Sequence, residues 1–245
     1  MNALPRPVIL FDGDDIPDVI ARGAARLGAE ICPNIEFLHL NGPSLMVGAF
    51  HRADAAFSAG YGGFVEYRAA DPLCPVTRVL LDAVAMGGLC LSASTQALME
   101  QDMVQAFCAA VKQRFPASAP MMVELAVAEA MGNAVIHGNL GLKSDLRHSL
   151  DGLSEFNARI EQSLADPTLA GRRVTMTALP FDQGGVEIIV SDNGDGFDFD
   201  QEMNKPCEAA AKSGRGLGLI RKVCSELSYR DAGTTLVMRF YAPSV

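Results

Sequence analysis

The sequence of 245 residues contains no tryptophan, and its 20 lysines and arginines are outnumbered by 29 aspartates and glutamates. The formal net charge is therefore −9 at pH 7. A protein that binds nucleic acid without sequence preference needs a basic surface that neutralises phosphates. The charge balance argues against this class, and we expect no direct nucleic-acid partner.

Paired cysteines, a secretory signal and long apolar runs are also missing. No two of the six cysteines have the CxxC spacing of zinc and redox motifs. Scattered thiols in a chain of this length are typical of a reducing compartment. The N-terminal segment lacks the basic and apolar parts of a secretory signal. Residues 79–91 are too few to span a bilayer and include Asp82. We therefore expect a cytoplasmic protein without a membrane partner.

Hydrophobic residues make up 49% of the chain, which is enough for a packed core. Two prolines, Pro72 and Pro75, disfavour a continuous helix or a central strand between the two parts of the chain. We therefore predict a small α/β domain at residues 1–85, with a regulatory or dimerisation role, and a second domain at residues 86–245.

The N-terminal part begins with a strand pattern at Val8–Phe11 and an acidic cluster of Asp12, Asp14 and Asp15. A helix at 16–27 and a strand at 35–40 are predicted next, which favours parallel pairing. The acidic cluster resembles the start of a phosphorelay receiver, but no predicted strand ends in an acceptor aspartate. A degenerate receiver is thus one interpretation. Dehalogenase-like phosphatases begin similarly, but their partner lysine and later acidic pair are not evident. Whether the cluster binds metal stays open.

The C-terminal part carries helical patterns first and strand patterns later. We predict helices at 94–115, 120–137 and 217–227, and strands at 173–178, 186–190 and 235–241. The segment at 140–172 reads as an insertion with a helix at 154–164. This order predicts an α+β fold in which one helical layer packs on a mixed or antiparallel sheet.

Three motifs in this part carry candidate chemistry. In the first, Glu129, Asn133 and His137 recur every four residues along an apolar helix. Such a polar line is costly to bury unless it serves a ligand, and a solvated stripe is the alternative. The amide oxygen of Asn133 suits Mg²⁺, and Glu129 can take a proton from a hydroxyl or water.

The second and third motifs are rich in glycine. Asp192 follows a strand pattern and precedes Gly194 and Gly196; its carboxylate could accept a hydrogen bond from an exocyclic amine such as that of adenine. An ordinary turn is the alternative. The third motif leads into an amphipathic helix whose first N–H groups could hold phosphate. Its spacing differs from the Walker and dinucleotide motifs. It consists of Gly214, Arg215, Gly216, Leu217 and Gly218.

In this order, the three motifs resemble the N box and the two glycine boxes of the histidine-kinase-like ATPase superfamily. The chain is most similar to the anti-sigma-factor serine/threonine kinases of bacteria. The similarity rests on the segments ELAVAEA, NAVIHG, DNGDGFD, SGRGLGLIR and GTT, and covers residues 88–241. It implies a Bergerat-type ATP-binding fold, an α+β two-layer sandwich, with ATP and Mg²⁺ as cofactors.

The resemblance also implies roles for single residues. Glu129 would be the catalytic base, Asn133 would bind Mg²⁺, and Asp192 would contact the adenine amine. Gly194 and Gly196 would shape the base pocket, and residues 198–213 would form the lid over ATP. The phosphates would meet Gly214, Arg215, Gly216, Leu217 and Gly218, where Arg215 would contact the γ-phosphate.

The expected activity is transfer of the γ-phosphate of ATP to a serine or threonine of a partner. The partner would be an anti-anti-sigma factor, a sigma factor or another signalling protein, and a homodimer is a further expectation. The helix at 94–115 contains no histidine and His137 is expected to be structural, so histidine self-phosphorylation is not expected. One alternative is a non-catalytic module that sequesters a partner when nucleotide is bound, and another is an ATP-driven clamp.

Overall fold

The computed structural model describes residues 6–33, 43–116, 122–142, 150–196 and 215–241. Within these ranges, nine strands form one continuous sheet in the order β2-β1-β3-β4-β5-β6-β7-β9-β8. The strands are β1 Val8–Phe11, β2 Glu30–Pro33, β3 Ser44–Gly48, β4 Gly63–Glu66, β5 Leu89–Ser94, β6 Arg173–Phe181, β7 Gly185–Ser191, β8 Glu226–Arg230 and β9 Thr235–Phe240.

The strand β5 joins two kinds of pairing. It runs parallel to β4 and antiparallel to β6, so the sheet changes from parallel to antiparallel pairing at this strand. Strands β1 to β5 pair in parallel and follow the order 2-1-3-4-5 of one doubly wound class. Strands β5, β6, β7, β9 and β8 pair antiparallel.

Helices lie on both faces of the parallel half. Ile20 of one helix and Leu80 of another pack with Ile9 and Leu45 on the first face. On the second face, the rings of Phe57 and Phe107 pack in a T-shaped arrangement with their centroids 5.9 Å apart. The helices are α1 Asp18–Leu27, α2 Ala53–Ser58, α3 Arg78–Ala85, α4 Thr95–Glu100, α5 Val104–Arg114, α6 Met122–Asn133, α7 Leu150–Leu164, α8 Pro167–Gly171 and α9 Arg215–Val223.

The larger core continues from the second face of the parallel half into the antiparallel half. There, Met176, Ile188 and Met238 of the sheet share one cluster with Val127 of α6 and Ile220 of α9. A helical layer on an antiparallel sheet is the α+β sandwich that the sequence predicts, so the predicted fold class is confirmed.

Two predicted helices are wrong in part. The single helix predicted at 94–115 is two helices, α4 and α5, because Gln101 adopts an extended backbone and Asp102 accepts a hydrogen bond from Val104 N. The helix predicted at 217–227 ends at Val223, since the following residues form β8. The predicted strand at 35–40 lies outside the described residues.

The predicted domain boundary lies in the turn between α3 and β5. It therefore lies next to a strand that both halves of the sheet share, and the division at residues 85 and 86 stays a prediction. Within the described ranges, no helix is long and apolar enough to cross a membrane.

Candidate nucleotide site

The helix α6 carries the first two candidate residues. Its apolar side faces the core at helical spacing, through Val123, Val127 and Ala130. Glu129 and Asn133 lie one turn apart at the edge of this apolar side, and both are half-buried. The two side chains therefore share one face of the helix, as predicted.

A π-helical turn, Ala134–Asn139, follows α6 directly. Each π turn holds more residues than an α turn, so the spacing of four residues no longer marks one face. His137 is consequently exposed, and its Nδ1 atom forms a hydrogen bond with the Leu142 carbonyl oxygen. Asn139, in contrast, is fully buried. His137 thus does not continue the polar face of Glu129 and Asn133.

Asp192 lies immediately after β7, at the start of the first glycine box. Its Oδ1 atom accepts a hydrogen bond of 2.8 Å from Gly194 N, and its own N–H donates to the Thr234 carbonyl oxygen at 3.0 Å. Burial raises the pKa of Asp192, although the Gly194 N–H and the charge of Arg172 partly lower it. A partly desolvated carboxylate of this kind is a strong acceptor for a donor such as an exocyclic amine.

The first glycine box packs closely against the end of the N box. A Cβ atom on Gly138 would lie 2.4 Å from Asp192 Cγ, and one on Gly194 would lie 2.2 Å from the Gly138 carbonyl oxygen. Gly196 has a φ of +71°, and a Cβ atom there would lie 2.1 Å from the Ala232 carbonyl oxygen. Only glycine permits this approach of three backbone segments.

The second glycine box meets the N box at Glu129 and Asn133. The helix α9 begins at Arg215 and packs against α6. A Cβ atom on Gly216 would lie 2.6 Å from Glu129 Oε2 and 3.6 Å from Asn133 Nδ2. The carboxylate of Glu129 therefore lies against the first turn of α9, whose N–H groups have no acceptor within the helix and attract anions such as phosphate.

The other candidates of the second glycine box differ in their surroundings. Leu217 is half-buried against the core, which makes packing its main contact. Gly218 is exposed and has open space where a side chain would begin. Gly214 and the lid segment at 198–213 lie outside the described residues, and the described part of Arg215 is its backbone at the start of α9. The ligand contacts of all these positions stay predictions.

The sequence motifs did not identify the residues that hold the first glycine box in place. Asn139 accepts a hydrogen bond of 2.8 Å from Asn193 N, and the Asn193 side chain accepts one of 2.8 Å from Arg173 N. The turn Asp231–Gly233 also contacts the box, and Asp231 and Ala232 have positive φ angles of 54° and 55°. Asn193 lies within the quoted segment DNGDGFD and Asn139 directly follows Gly138, but the motifs gave neither residue a role.

The donor set near α9 fits Mg²⁺. Asn133 offers an amide oxygen, a hard ligand of the kind that this ion prefers, one turn from the Glu129 carboxylate. Among the described residues, no three side chains of His, Cys, Asp or Glu are grouped as a metal site.

The acidic cluster of the N-terminal part, residues 1–85, which we call the N-terminal half, has a different environment. Asp12 Oδ2 lies 3.3 Å from Arg52 Nε, and a Cβ atom on Gly48 would lie 2.6 Å from Asp12 Cβ. The Asp12 carboxylate, directly after β1, is therefore paired with the guanidinium group of Arg52.

Comparison with known families agrees with this geometry. The family model described as histidine kinase-like ATPase domain matches residues 93–240. The chain belongs to this family. An ATPase domain of this kind implies ATP binding, and the matched range contains the N box and both glycine boxes. The comparison with curated proteins finds no match.

Proposed function

We propose that this histidine kinase-like ATPase domain acts as a protein serine/threonine kinase. It uses ATP and Mg²⁺, and its substrate is a hydroxyl group of a partner protein. The observation that carries the proposal is the position of Glu129, whose Oε2 atom lies 2.6 Å from the point where a Gly216 side chain would begin. A carboxylate at the phosphate-binding end of a helix is suited to act as a base beside the γ-phosphate.

Different residues bind the nucleotide, hold the metal ion and accept the proton in phosphoryl transfer. The first turn of α9 binds and orients the phosphates through its N–H groups, while Asp192 orients the adenine. Asn133 would hold Mg²⁺, which neutralises phosphate charge when bound. The Glu129 carboxylate accepts the hydroxyl proton as the hydroxyl oxygen bonds to the γ-phosphorus. The bond between that phosphorus and the β–γ bridging oxygen breaks, and ADP leaves.

We propose an external acceptor for two reasons. The helices α4 and α5, which precede the N box, contain no histidine. The ring of His137 is engaged with the Leu142 carbonyl oxygen. By the resemblance of its motifs, the acceptor is an anti-anti-sigma factor, and a sigma factor is the other proposed partner. The protein would then regulate transcription.

We further propose that the N-terminal half, a degenerate receiver, regulates without taking up phosphate. Its strand order supports a doubly wound unit, and none of the described strands β1 to β5 ends in an aspartate that could accept phosphate. The pairing of Asp12 with Arg52 supports the same proposal, since a guanidinium group already balances the charge that a cation would balance.

A phosphoryl-transfer assay tests the kinase proposal. The purified chain is incubated with Mg²⁺ and γ-labelled ATP, with and without anti-anti-sigma candidates from the same cell. We expect label on a serine or threonine of a candidate. Glu129→Gln should lower the transfer rate by about 10²–10⁴-fold and leave ATP binding measurable. Asn133→Ala should weaken both binding and transfer.

Glu124→Gln is the matched control, because Glu124 is exposed on the same helix. It should transfer label at the normal rate. Normal turnover and normal ATP affinity in Glu129→Gln and Asn133→Ala would disprove the site assignment. Tight ATP binding without transfer to any candidate would instead favour a sequestering module, and ATP turnover without an acceptor would favour a clamp.

A further inference from the structure

A buried polar network connects the adenine side of the site with the N-terminal half. Its centre is Asn139, which is 0% exposed although it carries an amide. Asn139 Nδ2 donates to Thr95 Oγ1 at 2.8 Å, and Asn139 Oδ1 accepts from Asn193 N at 2.8 Å. A buried amide with both ends satisfied has a defined orientation, because any rotation leaves polar groups unpaired.

Asn139 and Asn193 together hold the start of the first glycine box. Asn193 N donates a hydrogen bond of 2.8 Å to Asn139 Oδ1 of the N box, and Asn193 Oδ1 accepts one of 2.8 Å from Arg173 N. Arg172 Nη1 donates to the Asn139 carbonyl oxygen, also at 2.8 Å. Asp192 precedes Asn193 directly, so the position of its carboxylate depends on these bonds.

The side chain of Arg173 extends the network to β4 and β5. Its Nη2 atom donates to the carbonyl oxygens of Ser92 at 2.8 Å and Glu66 at 3.1 Å. Its Nη1 atom lies 3.7 Å from Asp71 Oδ2. Burial lowers the pKa of Arg173, while Glu66 and Asp71 raise it, so the guanidinium depends on the N-terminal half for its charge partners.

Glu66 completes the connection at the carboxyl end of β4. It is buried, and its two carboxylate oxygens accept hydrogen bonds from Ser94 N at 2.5 Å and Ser94 Oγ at 3.1 Å. Ser94 Oγ in turn caps α4 by accepting from Ala97 N at 3.2 Å. Removing a hydrogen-bond donor from a buried carboxylate is costly, which makes the junction stiff.

We infer that Asn139 and Arg173 are positioning residues, which hold the Asp192 loop at residues 192–196 in place and make nucleotide affinity depend on the N-terminal half. This inference rests on the proposed ATP site. Neither residue needs to contact the nucleotide, because each acts through Asn193 and the start of β6. The N-terminal half could then change ATP binding by shifting Glu66 or Asp71.

Two readouts test the inference. The first is hydrogen exchange at the Asn193 amide in the nucleotide-free protein, and the second is the ratio of GTP to ATP dissociation constants. Guanine carries a carbonyl where adenine carries its amine, so this ratio measures how strongly the Asp192 carboxylate favours adenine over guanine. Asn139→Ala should speed Asn193 exchange by about tenfold and reduce the ratio toward that of Asp192→Asn.

Arg173→Gln should produce changes in the same direction that are about threefold smaller. Arg239→Gln is its matched control, because Arg239 also pairs with two carboxylates on the sheet, those of Glu187 and Glu226, but far along the sheet from Asn193. It should alter neither readout. If Asn139→Ala does not fold, the isosteric Thr95→Val removes the acceptor of Asn139 Nδ2 and serves in its place.

Each outcome decides a separate point. Unchanged exchange and an unchanged ratio in folded Asn139→Ala or Thr95→Val would overturn the positioning role of Asn139. Wild-type behaviour of Arg173→Gln would overturn the dependence on the N-terminal half. A wild-type protein that binds no ATP would disprove the proposed function instead, while the exchange readout would still test the loop.

Discussion

Asp192 is the residue at which binding and stability oppose each other. Its carboxylate loses water on folding, and the raised pKa records the cost of keeping it charged. The Gly194 N–H compensates one oxygen at 2.8 Å. An amine donor of a ligand could bond the other oxygen and offset the rest of the desolvation cost. The unliganded protein therefore carries a destabilising charge, and ligand binding reduces its cost.

Asp192→Asn tests this opposition. A raised native pKa means that the native state binds the proton more tightly than the unfolded chain, so the contribution of Asp192 to stability is greatest below the unfolded pKa and is lost as the pH rises through the native pKa. We expect the nucleotide-free variant to gain stability over the wild type as the pH rises from below 4 to neutrality. Thermal unfolding at a series of pH values measures this difference.

The same variant should lose adenine recognition at neutral pH. Loss of a hydrogen bond to a charged group costs about 2 kcal/mol, or about thirtyfold in ATP affinity. Calorimetric titration with ATP checks this. A variant that binds ATP as tightly as the wild type would show that Asp192 does not contact the base.

At the scale of elements, the site depends on the contact between α6 and α9. Gly216 allows the first turn of α9 to approach Glu129, and the π turn after α6 directs Asn139 into the core. A conventional helical turn would keep the spacing of four and direct His137 inward instead. The irregular turn therefore separates the residues that would meet the phosphates from the residue that holds the adenine loop.

Gly216→Ala tests the helix contact. The new methyl group would displace the Glu129 carboxylate, the flexible end of its side chain, so turnover should fall while stability changes by less than about 1 kcal/mol. Gly132→Ala is the control, because Gly132 is exposed on α6 and has open space around it. It should keep normal turnover and gain about 0.5–1 kcal/mol of stability. Equal turnover in both variants would argue against Glu129 as the base.

At the scale of the whole molecule, the sheet makes the two halves interdependent. Strand β5 is buried along its whole length and pairs on both sides, with β4 and with β6. The family match begins at residue 93, near the end of this strand. A fragment that began at the predicted boundary would leave β5 at an open, apolar sheet edge.

Truncation to residues 86–245 tests this interdependence and the predicted boundary together. We expect the fragment to aggregate or to unfold at a much lower temperature, and the full chain to unfold in one transition by near- and far-ultraviolet circular dichroism. Size-exclusion chromatography of both forms provides the comparison. A monomeric fragment with the thermal stability of the full chain would establish an autonomous domain at residue 86.

Much of the fold and of the site could be predicted from local patterns. The strand Val8–Phe11 is predicted without error, and α6 and β7 lie close to their predicted ranges. The break between α4 and α5 was missed, because apolar residues keep helical spacing across the break. The strand β5 was missed, since a fully buried strand lacks the alternation that marks a strand with one solvated face.

The sequence by itself determined the family, because Glu129, Asn133, Asp192 and the glycines form motifs whose meaning depends on short spacings. The tertiary structure alone decided which of these residues meet. Glu129 lies beside Gly216, and Asn139 lies beside Asn193, through packing of segments that are distant in the chain. Local spacing cannot encode such contacts, since they depend on how the whole sheet pairs and on which backbone groups remain to be satisfied.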